Sequence, residues 1–575
     1  MLAGAALAIF CSALEVRAPV IDLRWFNLTT SKLAAVLFFA LVIVWVLGQG
    51  AAGLRSFFSY RVLDAAVLAF VLSNLISVEA ATDKAGAFKF ALRMFYAAGM
   101  YLGISRLPRF FRSHLVVAWS VTVTVLMVVL VGLLQNYVIP VTWDWLLEPF
   151  EEGITTFGAF YNLRVASTLP FPTVLSMYLE LCMPIALALG LWLISSETRP
   201  GRRRWLWAAT IAGTVAIMMV QLFTYTRSGL VAAPASLLIG AALAALFGFG
   251  RRVWAMFALA ALILGAILGG WVLFSNKMDV RLGLSQPENR YGAQYQLLDI
   301  PQDMQPDQEY VARIHVKNTG SLYWGASGDN EVNASCRWVS YPDGQEQTDV
   351  PFIISYLPHD IGPGQEGDID VTFHTPVTPG RYVLDFDLIE VHVAWFSSAG
   401  VPGLKVPLDF TSGTGRQFQI TGPATRFDAP APDETATPRS QLWRAALRMW
   451  KDHPILGIGP DQFRNHYTDY LNVTPDNRIR THDIFLETLA NTGVIGLVVM
   501  VYLLGTAAWA QLRLVRDRKL GWDMRLLSLG LLVGLTAYVG HGLLDCFLWQ
   551  TGVSFLFFGL LGLTSWLDYE RRRRG

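Results

Sequence analysis

Long apolar runs recur in the first half and near the end of this 575-residue chain, and they constrain its fold more than any other feature. A helix of about 20 apolar residues crosses the hydrocarbon core of a bilayer, because it satisfies its own backbone hydrogen bonds there. Only 15% of the residues are charged, against about 25% in typical soluble domains. The sequence therefore predicts an all-α polytopic membrane protein.

Twelve spans are predicted, and the first (short) and fourth (interrupted by Arg93) are the weakest. They are 2–14, 33–49, 60–78, 88–105, 114–137, 173–195, 205–224, 229–248, 253–274, 484–510, 526–544 and 550–567. Helices 1–9 thus fall within 1–275 and helices 10–12 within 484–575. The first could also be a signal peptide, but no small-residue cleavage site stands out, which favours an anchor.

Basic residues predict the orientation of these spans. With both termini inside, the inner loops and the C-terminal tail carry 20 Lys and Arg residues, whereas the short outer loops carry 6. Both termini are therefore expected in the cytoplasm, with 275–483 outside the membrane. The net charge of +1 averages these two faces, and no nucleic-acid partner is predicted.

The outer segment changes to alternating polar and apolar residues at 294–422. YVARIHVKN, ASCRWVSYP, DIDVTFHTP, RYVLDFDLI and RQFQITG are typical of strands, and turn signals separate them. The pattern predicts an extracytoplasmic, immunoglobulin-like β-sandwich after a linker at 276–293. Trp324, Trp395 and Phe396 lie near its loops, where they either close the core or form a sugar-stacking surface.

Residues 423–483 are predicted to return the chain to the membrane. A proline-rich linker at 429–437 precedes the segment SQLWRAALRMWKDHP, which has Leu442 and Met449 on one helical side and Arg444 and Arg448 on the other. This amphipathic helix is expected either on the outer membrane surface or packed under the sandwich.

Arginines lie at the outer ends of several predicted spans. Arg227 occupies a tight turn near the hydrocarbon, where a cation is costly. Its guanidinium suits phosphate oxygens, but it could also snorkel to lipid headgroups. Arg164 permits the same two interpretations, and Arg93 is a third candidate. Arg478 and Arg480 precede span ten, where they could instead be interfacial anchors.

His482 stands directly before span ten. A neutral imidazole there could act as a general base, or it could be a polar residue at a helix start that Asp483 caps. His541 and Asp545 have i,i+4 spacing, which predicts a pair on one helix face, more often structural than catalytic. Glu487 could orient a neighbouring side chain.

Motifs for bound cofactors do not occur in the sequence. There is no GxxxxGK[ST] phosphate loop, no HExxH and no Cys/His cluster with zinc spacing. No metal and no cofactor are predicted, so an enzyme of this kind would have to use an activated donor that arrives through the membrane.

Four segments resemble, in order, the O-antigen ligase and O-antigen polymerase superfamily of membrane glycosyltransferases. Their sequences are NLRVASTLPFPTVLSMYLELCMPIAL, TYTRSGLVA, MWKDHPILGIGPDQF and THDIFLETLANTGVIGL. The last segment fits the ligase pattern of a histidine, ten residues and a glycine, here His482 and Gly493.

The resemblance implies a C-type, metal-independent, inverting glycosyltransferase. It would move a glycan from undecaprenyl diphosphate to the hydroxyl of a lipid- or polymer-linked sugar at the outer membrane face. His482 would be catalytic, and Arg164 and Arg227 would bind the donor diphosphate. Two alternatives stay open. One is a polysaccharide polymerase, and the other is a non-catalytic transporter or scaffold for lipid-linked glycans.

Overall fold

The structure is a computed structural model, and the chain divides into a helical unit and a β-rich unit. The helical unit comprises Met1–Glu151, Val165–Ala266 and Arg439–Gly575, and the β-rich unit Glu152–Arg164 and Ile267–Pro438. The residues that the structure describes are 1–14, 21–22, 27–108, 112–137, 165–274, 290–327, 331–342, 347, 350, 353–391, 394–397, 400–418, 439–471 and 479–574.

Helices account for most of the chain outside the β-rich unit. Before that unit they are α1 (Leu2–Ser12), α2 (Thr30–Gly48), α3 (Gly50–Phe57), α4 (Asp64–Ser77), α5 (Lys84–Ser105), α6 (Ser113–Tyr137), α7 (Pro172–Ser196), α8 (Pro200–Phe223), α9 (Arg227–Leu246) and α10 (Arg251–Phe274). After it they are α11 (Arg439–Asp452), α12 (Phe463–Tyr470), α13 (Ile484–Arg516), α14 (Trp522–Gly542) and α15 (Thr551–Arg574). A short hairpin, β1 (Ile21–Asp22) and β2 (Asn27–Leu28), precedes α2.

Nine helices in the described part of the chain are long and apolar enough to cross a membrane, namely α2, α6 to α10 and α13 to α15. This confirms a multi-pass membrane protein. The other three predicted spans are helical as well, but α1 has 11 residues and α4 has 14, fewer than the roughly 20 that a bilayer requires. Basic residues at 84, 89 and 93 interrupt the apolar sequence of α5. The predicted total of twelve membrane spans therefore stays a prediction.

Helices α7, α14 and α15 form the interior of the helical unit. In the most apolar 18-residue stretch of each helix, 83%, 83% and 100% of the residues are buried, whereas the value for α10 is 28%. Glycines let α14 approach α7 closely, as small residues do between membrane helices. A Cβ atom at Gly530 would lie 2.7 Å from the carbonyl oxygen of Pro184, and one at Gly534 would lie 3.0 Å from that of Leu181.

Two antiparallel sheets form the β-rich region. Their strands are β3 (Ala293–Asp299), β4 (Glu309–Asn318), β5 (Val332–Ser340), β6 (Ser355–Tyr356), β7 (Glu366–His374), β8 (Arg381–Glu390), β9 (Ala394–Trp395), β10 (Leu404–Asp409) and β11 (Arg416–Gln417). One sheet has the order β11-β10-β8-β5-β6, with β9 on β8, and the other has the order β3-β4-β7. Both sheets contribute to one core, where the rings of Phe373 and Phe386 are 6.2 Å apart. The predicted β-rich region is confirmed, and its immunoglobulin-like class stays a prediction.

Four of the five predicted strands correspond to β4, β5, β7 and β8. The fifth is reduced to β11, and the rest of it lies outside the described residues. The strands β3 and β10 were not predicted. Strand β10 contains Pro407, which cannot donate a ladder hydrogen bond. Trp324 and Phe396 are 0% exposed and Trp395 is 9% exposed. Trp324 and Phe396 belong to the core, and all three rings are buried instead of forming a sugar-stacking surface.

Helix α11 has the predicted amphipathic pattern. Leu442 and Met449 are buried, whereas Arg444 and Arg448 are exposed. The apolar face packs on residues of α12 such as Phe463 and on the first turns of α13. Its place on a membrane surface stays a prediction, and the predicted linker at 429–437 lies outside the described residues.

Asp387 makes the stability of the β-rich region dependent on pH. It is buried in β8, where desolvation raises the pKa of its carboxyl group to about 7, compared with about 3.9 for an unfolded aspartate. The native state therefore binds this proton more tightly than the unfolded state does. The resulting stability is lost as the pH rises from about 4 through about 7.

We expect the protection of β8 against hydrogen–deuterium exchange, corrected for the intrinsic rate, to fall between pH 5 and pH 8 in the full-length protein. The variant Asp387→Asn should flatten this dependence. Asp370→Asn is the matched control, because Asp370 is exposed and pairs with Arg313 at 2.7 Å. An unchanged pH dependence in Asp387→Asn would contradict the assignment.

Candidate functional site

His482 lies in a short segment that neighbouring helices hold in place. The backbone N–H of Thr481 donates to Glu487 Oε2 at 3.0 Å, and its carbonyl accepts from the indole N–H of Trp443 at 3.0 Å. His482 has a φ of 53°, a left-handed conformation that is uncommon for residues other than glycine. Such strain persists only where the surrounding contacts impose it, and it is concentrated at functional sites.

The start of α13 fixes the position of this segment along the helix axis. The side chain of Asp483 accepts hydrogen bonds from the backbone N–H groups of Phe485 and Leu486, both at 2.8 Å. Asp483 is therefore the helix cap, as the sequence predicted. His482 is the residue before this cap and lies outside the helix, so its side chain is not committed to capping.

Asp545, in the loop between α14 and α15, is the partner of His482. The Nδ1 atom of His482 lies 3.3 Å from Asp545 Oδ1, and both residues are buried. Burial raises the pKa of the Asp545 carboxyl, but the hydrogen bond and charge of His482 outweigh this effect, so its pKa lies below the usual value. An ionised Asp545 favours a proton on Nδ1, which makes Nε2 the proton acceptor.

The partners of His541 differ from the predicted pair with Asp545. Helix α14 ends at Gly542, so Asp545 lies beyond the helix and the i,i+4 geometry does not form. His541 Nδ1 instead lies 3.0 Å from Glu180 Oε1, and Nε2 lies 2.6 Å from Ser228 Oγ. His541 thus connects α14 with α7 and α9.

Glu180 is a buried site residue that the sequence interpretation missed. It is 1% exposed and also accepts hydrogen bonds from Ser176 Oγ and Gln221 Nε2, both at 3.0 Å. A carboxyl group inside an apolar span is costly and therefore rare. That rarity is the sequence signal that could have identified it.

Arg227 is the first residue of α9, so the predicted turn is confined to the residues before it. Its side chain is exposed, whereas the next residue, Ser228, is buried in the network of His541. The network therefore anchors the beginning of α9. A helix N-terminus and a guanidinium both favour anions, so this location suits a diphosphate. Arg164 and Arg478 lie outside the described residues.

Arg480 and Arg93 meet at Trp549. Arg480 is buried, donates to Asp461 Oδ1 at 2.6 Å and to Glu487 Oε1 at 3.4 Å, and places its guanidinium 4.7 Å from the centroid of the Trp549 ring. Arg93 Nη1 donates to the carbonyl of Trp549. Glu487 thus contacts Arg480, and its role in orienting a neighbour stays a prediction. No sequence pattern indicated Trp549, because its contacts come from distant segments of the chain.

Gly493, the second residue of the family pattern, interrupts α13. Its φ of 65° and ψ of −166° are not helical, and this region of backbone conformation is accessible almost only to glycine. A Cβ atom there would lie 2.2 Å from the carbonyl oxygen of Ile455 and 2.7 Å from the nitrogen of Gly457. Glycine is therefore required both for the backbone conformation and for the close approach of 455–457.

The segment 454–459 satisfies the backbone groups that this break releases. Ile458 and Gly459 donate to the carbonyls of Ala490 and Asn491 at 3.0 and 2.9 Å, and Val494 donates to the carbonyl of Pro454 at 2.9 Å. Two of the four segments that resemble the superfamily thus form one hydrogen-bonded unit. This unit fixes the helix start next to which His482 lies.

We expect Gly493→Ala to disrupt the site for two reasons. The backbone conformation of residue 493 costs a residue other than glycine roughly 1–3 kcal/mol, and the added methyl group overlaps the 455–457 backbone. A lower melting temperature and lost activity of the full-length protein should follow. Gly505→Ala is the matched control on the same helix, since a Cβ atom at Gly505 meets nothing within 4 Å. Equal stability of the two variants would refute this account.

Removing the imidazole of His541 should leave the buried carboxyl group of Glu180 without one of its hydrogen-bond partners. A buried polar group that loses its partner costs about 1–3 kcal/mol, so His541→Ala should lower thermal stability. The double variant His541→Ala/Glu180→Gln should recover part of that loss, because the carboxyl group that lost its partner is no longer present. Thermal unfolding in detergent measures these stabilities. If the loss in the double variant equals the sum of the losses in the two single variants, the two residues are not coupled.

Comparisons with known proteins match part of this region of the chain. Residues 394–501 match the family model described as O-Antigen ligase, and this range contains His482, Asp483, Glu487 and Gly493. The exopolysaccharide production protein ExoQ of Rhizobium meliloti (strain 1021) is 27% identical over 150 residues. Both findings support the O-antigen ligase and polymerase superfamily.

The similarity to this relative is partial. The aligned region covers 25% of this chain and 33% of the relative. With the apolar helices, the comparisons support a multi-pass membrane protein of polysaccharide biosynthesis. Among the residues with described positions, no group of three or more His, Cys, Asp or Glu side chains could hold a metal ion.

Proposed function

We propose that this chain transfers a glycan from undecaprenyl diphosphate to the hydroxyl of a lipid- or polymer-linked sugar. The reaction takes place at the outer face of a bacterial inner membrane, with both termini in the cytoplasm and the β-rich region outside. The enzyme is a metal-independent, inverting glycosyltransferase of the O-antigen ligase type. The observation that carries this proposal is the contact of His482, which lies in the segment that matches the ligase family, with the buried carboxylate of Asp545.

This contact gives His482 the arrangement of a general base. Asp545 accepts from Nδ1–H, which leaves Nε2 free of that proton and able to take one from the acceptor hydroxyl. The carboxylate then stabilises the imidazolium that forms. A histidine that only started a helix would need no buried carboxylate beside it, so the pair favours chemistry over a purely structural role.

The transfer is a single displacement. As His482 takes the proton, the acceptor oxygen forms a bond to the anomeric carbon, and the bond from that carbon to the diphosphate oxygen breaks. The electron pair leaves with undecaprenyl diphosphate. Attack opposite the leaving group inverts the anomeric configuration.

Cations near the leaving group would stabilise the negative charge that develops on it. We assign this role to Arg227 at the start of α9, which the buried Ser228–His541 contact anchors. Arg164 is proposed to share it. Arg93, Arg478 and Arg480 are proposed to support the site, the first and last of them through their contacts with Trp549.

A polymerase is the second candidate, because the relative with 27% identity is named for exopolysaccharide production. Such an enzyme would use the same base and donor, and the acceptor would be another lipid-linked repeat. Cells that lack this protein distinguish the two. Loss of a ligase leaves long unattached lipid-linked chains, whereas loss of a polymerase leaves single repeats, and gel electrophoresis with mass analysis separates these products.

Replacing His482 by alanine should abolish transfer, since general base catalysis contributes about 10²- to 10⁴-fold. Insertion into the membrane and binding of the lipid donor should persist. His466→Ala is the matched control, because His466 pairs with Asp469 on the surface of α12. Normal glycan attachment by His482→Ala would refute the enzyme and leave the transporter or scaffold.

Asp545→Asn tests the role of the carboxylate. We expect the rate to fall by at least about tenfold. The acid limb of the pH–rate profile should also move to lower pH, because the removed anion no longer favours the imidazolium. A purely structural aspartate would lower the amount of folded enzyme and leave the acid limb at the same pH.

A further inference from the structure

A buried group of charged residues lies at the end of α5 that is opposite the candidate site. Arg93 bonds to the carbonyl of Trp549 near that site, whereas this group includes Ser105, 12 residues further along the helix. A rise of 1.5 Å per residue separates the two positions by about 18 Å. The members of the group come from the beginning of α4, the end of α5 and the end of α15.

Asp64, the first residue of α4, accepts four hydrogen bonds. Arg106 donates to both of its oxygens, at 2.8 and 2.7 Å. The hydroxyl of Tyr101 and the backbone N–H of Arg61 supply the other two, at 2.7 and 2.8 Å. Because a carboxylate offers about four acceptor positions, the charge of Asp64 is paired with Arg106 and little room is left for the guanidinium of Arg61.

The side chain of Arg61 is buried with an incomplete set of hydrogen bonds. It is 4% exposed, and its Nε donates to the carbonyl of Ser105 at 3.3 Å. Its Cζ lies 3.3 Å from the centroid of the Tyr569 ring. Nη1 is also buried and has no hydrogen-bond partner among the residues with described positions. A buried cation without a paired anion is costly, so this location favours an additional anion.

The neighbours of Arg61 are typical of a boundary between membrane and water. Phe58 and Tyr60 are 78% and 62% exposed, and tyrosine is enriched at the level of the lipid headgroups. Helix α4 begins at Asp64, three residues after Arg61, and α15 ends shortly after Tyr569. Arg61 therefore lies at the ends of helices, where lipid headgroups are within reach.

We propose that Arg61 binds the phosphate group of an anionic phospholipid, such as phosphatidylglycerol, in the leaflet at this end of α5. A phosphate oxygen accepts from Nη1 and supplies the missing anion. Because Nη1 is buried, binding requires the exposed side chains beside Arg61 to move aside. The inference goes beyond the proposed function, and no residue of the candidate site takes part in it.

A lipid suits this location better than a soluble anion does. The exposed rings of Phe58 and Tyr60 offer apolar surface to the upper part of an acyl chain, which inorganic phosphate does not have. A zwitterionic lipid such as phosphatidylcholine carries a cation beside its phosphate, and that cation would repel the guanidinium. An anionic headgroup avoids this repulsion.

The bound phosphate would strengthen a junction of three helices. Arg61 leads into α4, contacts the end of α5 through Ser105 and contacts α15 through Tyr569. An anion that neutralises Arg61 removes the cost of burying its charge at this junction. The lipid should therefore stabilise the folded protein, because a ligand that binds only the native state raises its stability.

Thermal unfolding of the full-length protein in nanodiscs tests this proposal. One set of nanodiscs contains phosphatidylcholine alone, and the other an equimolar mixture of phosphatidylcholine and phosphatidylglycerol. We expect the mixture to raise the melting temperature by about 2–4 °C, and Arg61→Gln should remove most of this rise. Arg61→Lys, which keeps the charge but not the planar guanidinium, should remove part of it and keeps the test valid if Arg61→Gln does not fold.

Arg251→Gln is the matched control, because Arg251 is an exposed arginine at the beginning of α10. It should keep the rise in melting temperature. Native mass spectrometry of protein released from the mixed nanodiscs should show bound phosphatidylglycerol, held about tenfold more weakly by Arg61→Gln. His482→Ala should keep both the rise and the bound lipid, which separates this proposal from the proposed function.

Two results would overturn the assignment. If the mixture does not raise the melting temperature of the parent protein, or raises it equally in Arg61→Gln and Arg251→Gln, Arg61 is not a specific lipid site. Inorganic phosphate added to the phosphatidylcholine nanodiscs is the second probe. If it produces the same Arg61-dependent rise as phosphatidylglycerol does, the site binds a soluble anion and not a lipid.

Discussion

The break of α13 at Gly493 is the constraint on which the site depends. A helix inside a bilayer must satisfy its backbone groups internally, so an interruption is stable only where other protein groups replace the lost bonds. Here the amides of Ile458 and Gly459 bond to the carbonyls of Ala490 and Asn491. The break therefore requires the 454–459 segment, and together they fix where the helix that follows His482 begins.

Buried polar groups of the helical unit are paired with one another. His482 contacts Asp545, His541 contacts Glu180, and Arg480 contacts both Asp461 and Glu487. Each of these groups would be expensive to bury alone. Asp545, Glu180 and Asp461 come from other segments of the chain than the groups they contact. The pairs therefore join the candidate site to the packing of the helices, so the geometry of that site and the interior of the helical unit depend on each other.

Local patterns predicted much of this arrangement. The apolar runs indicated the spans, the Asp483 cap was evident from residue type, and His482 stood out before an apolar run. The same reasoning failed where a partner lies far away in sequence. His541 and Asp545 have helical spacing, but α14 ends between them, and Glu180 supplies the partner from more than 300 residues earlier. Trp549 gave no signal, because its neighbours Arg93 and Arg480 come from separate segments.

The sequence by itself determined that the chain crosses a membrane, that a β-rich region interrupts its helices, and that His482 precedes a helix start. These features follow from composition and periodicity, which can be recognised within a single short stretch of sequence. Only the tertiary structure decided which carboxylate orients His482, why Gly493 must be glycine, and that Asp64 pairs with Arg106 at the other end of α5. Those outcomes depend on close approach between distant segments, where hydrogen bonding and packing select one arrangement among many that share the same local pattern.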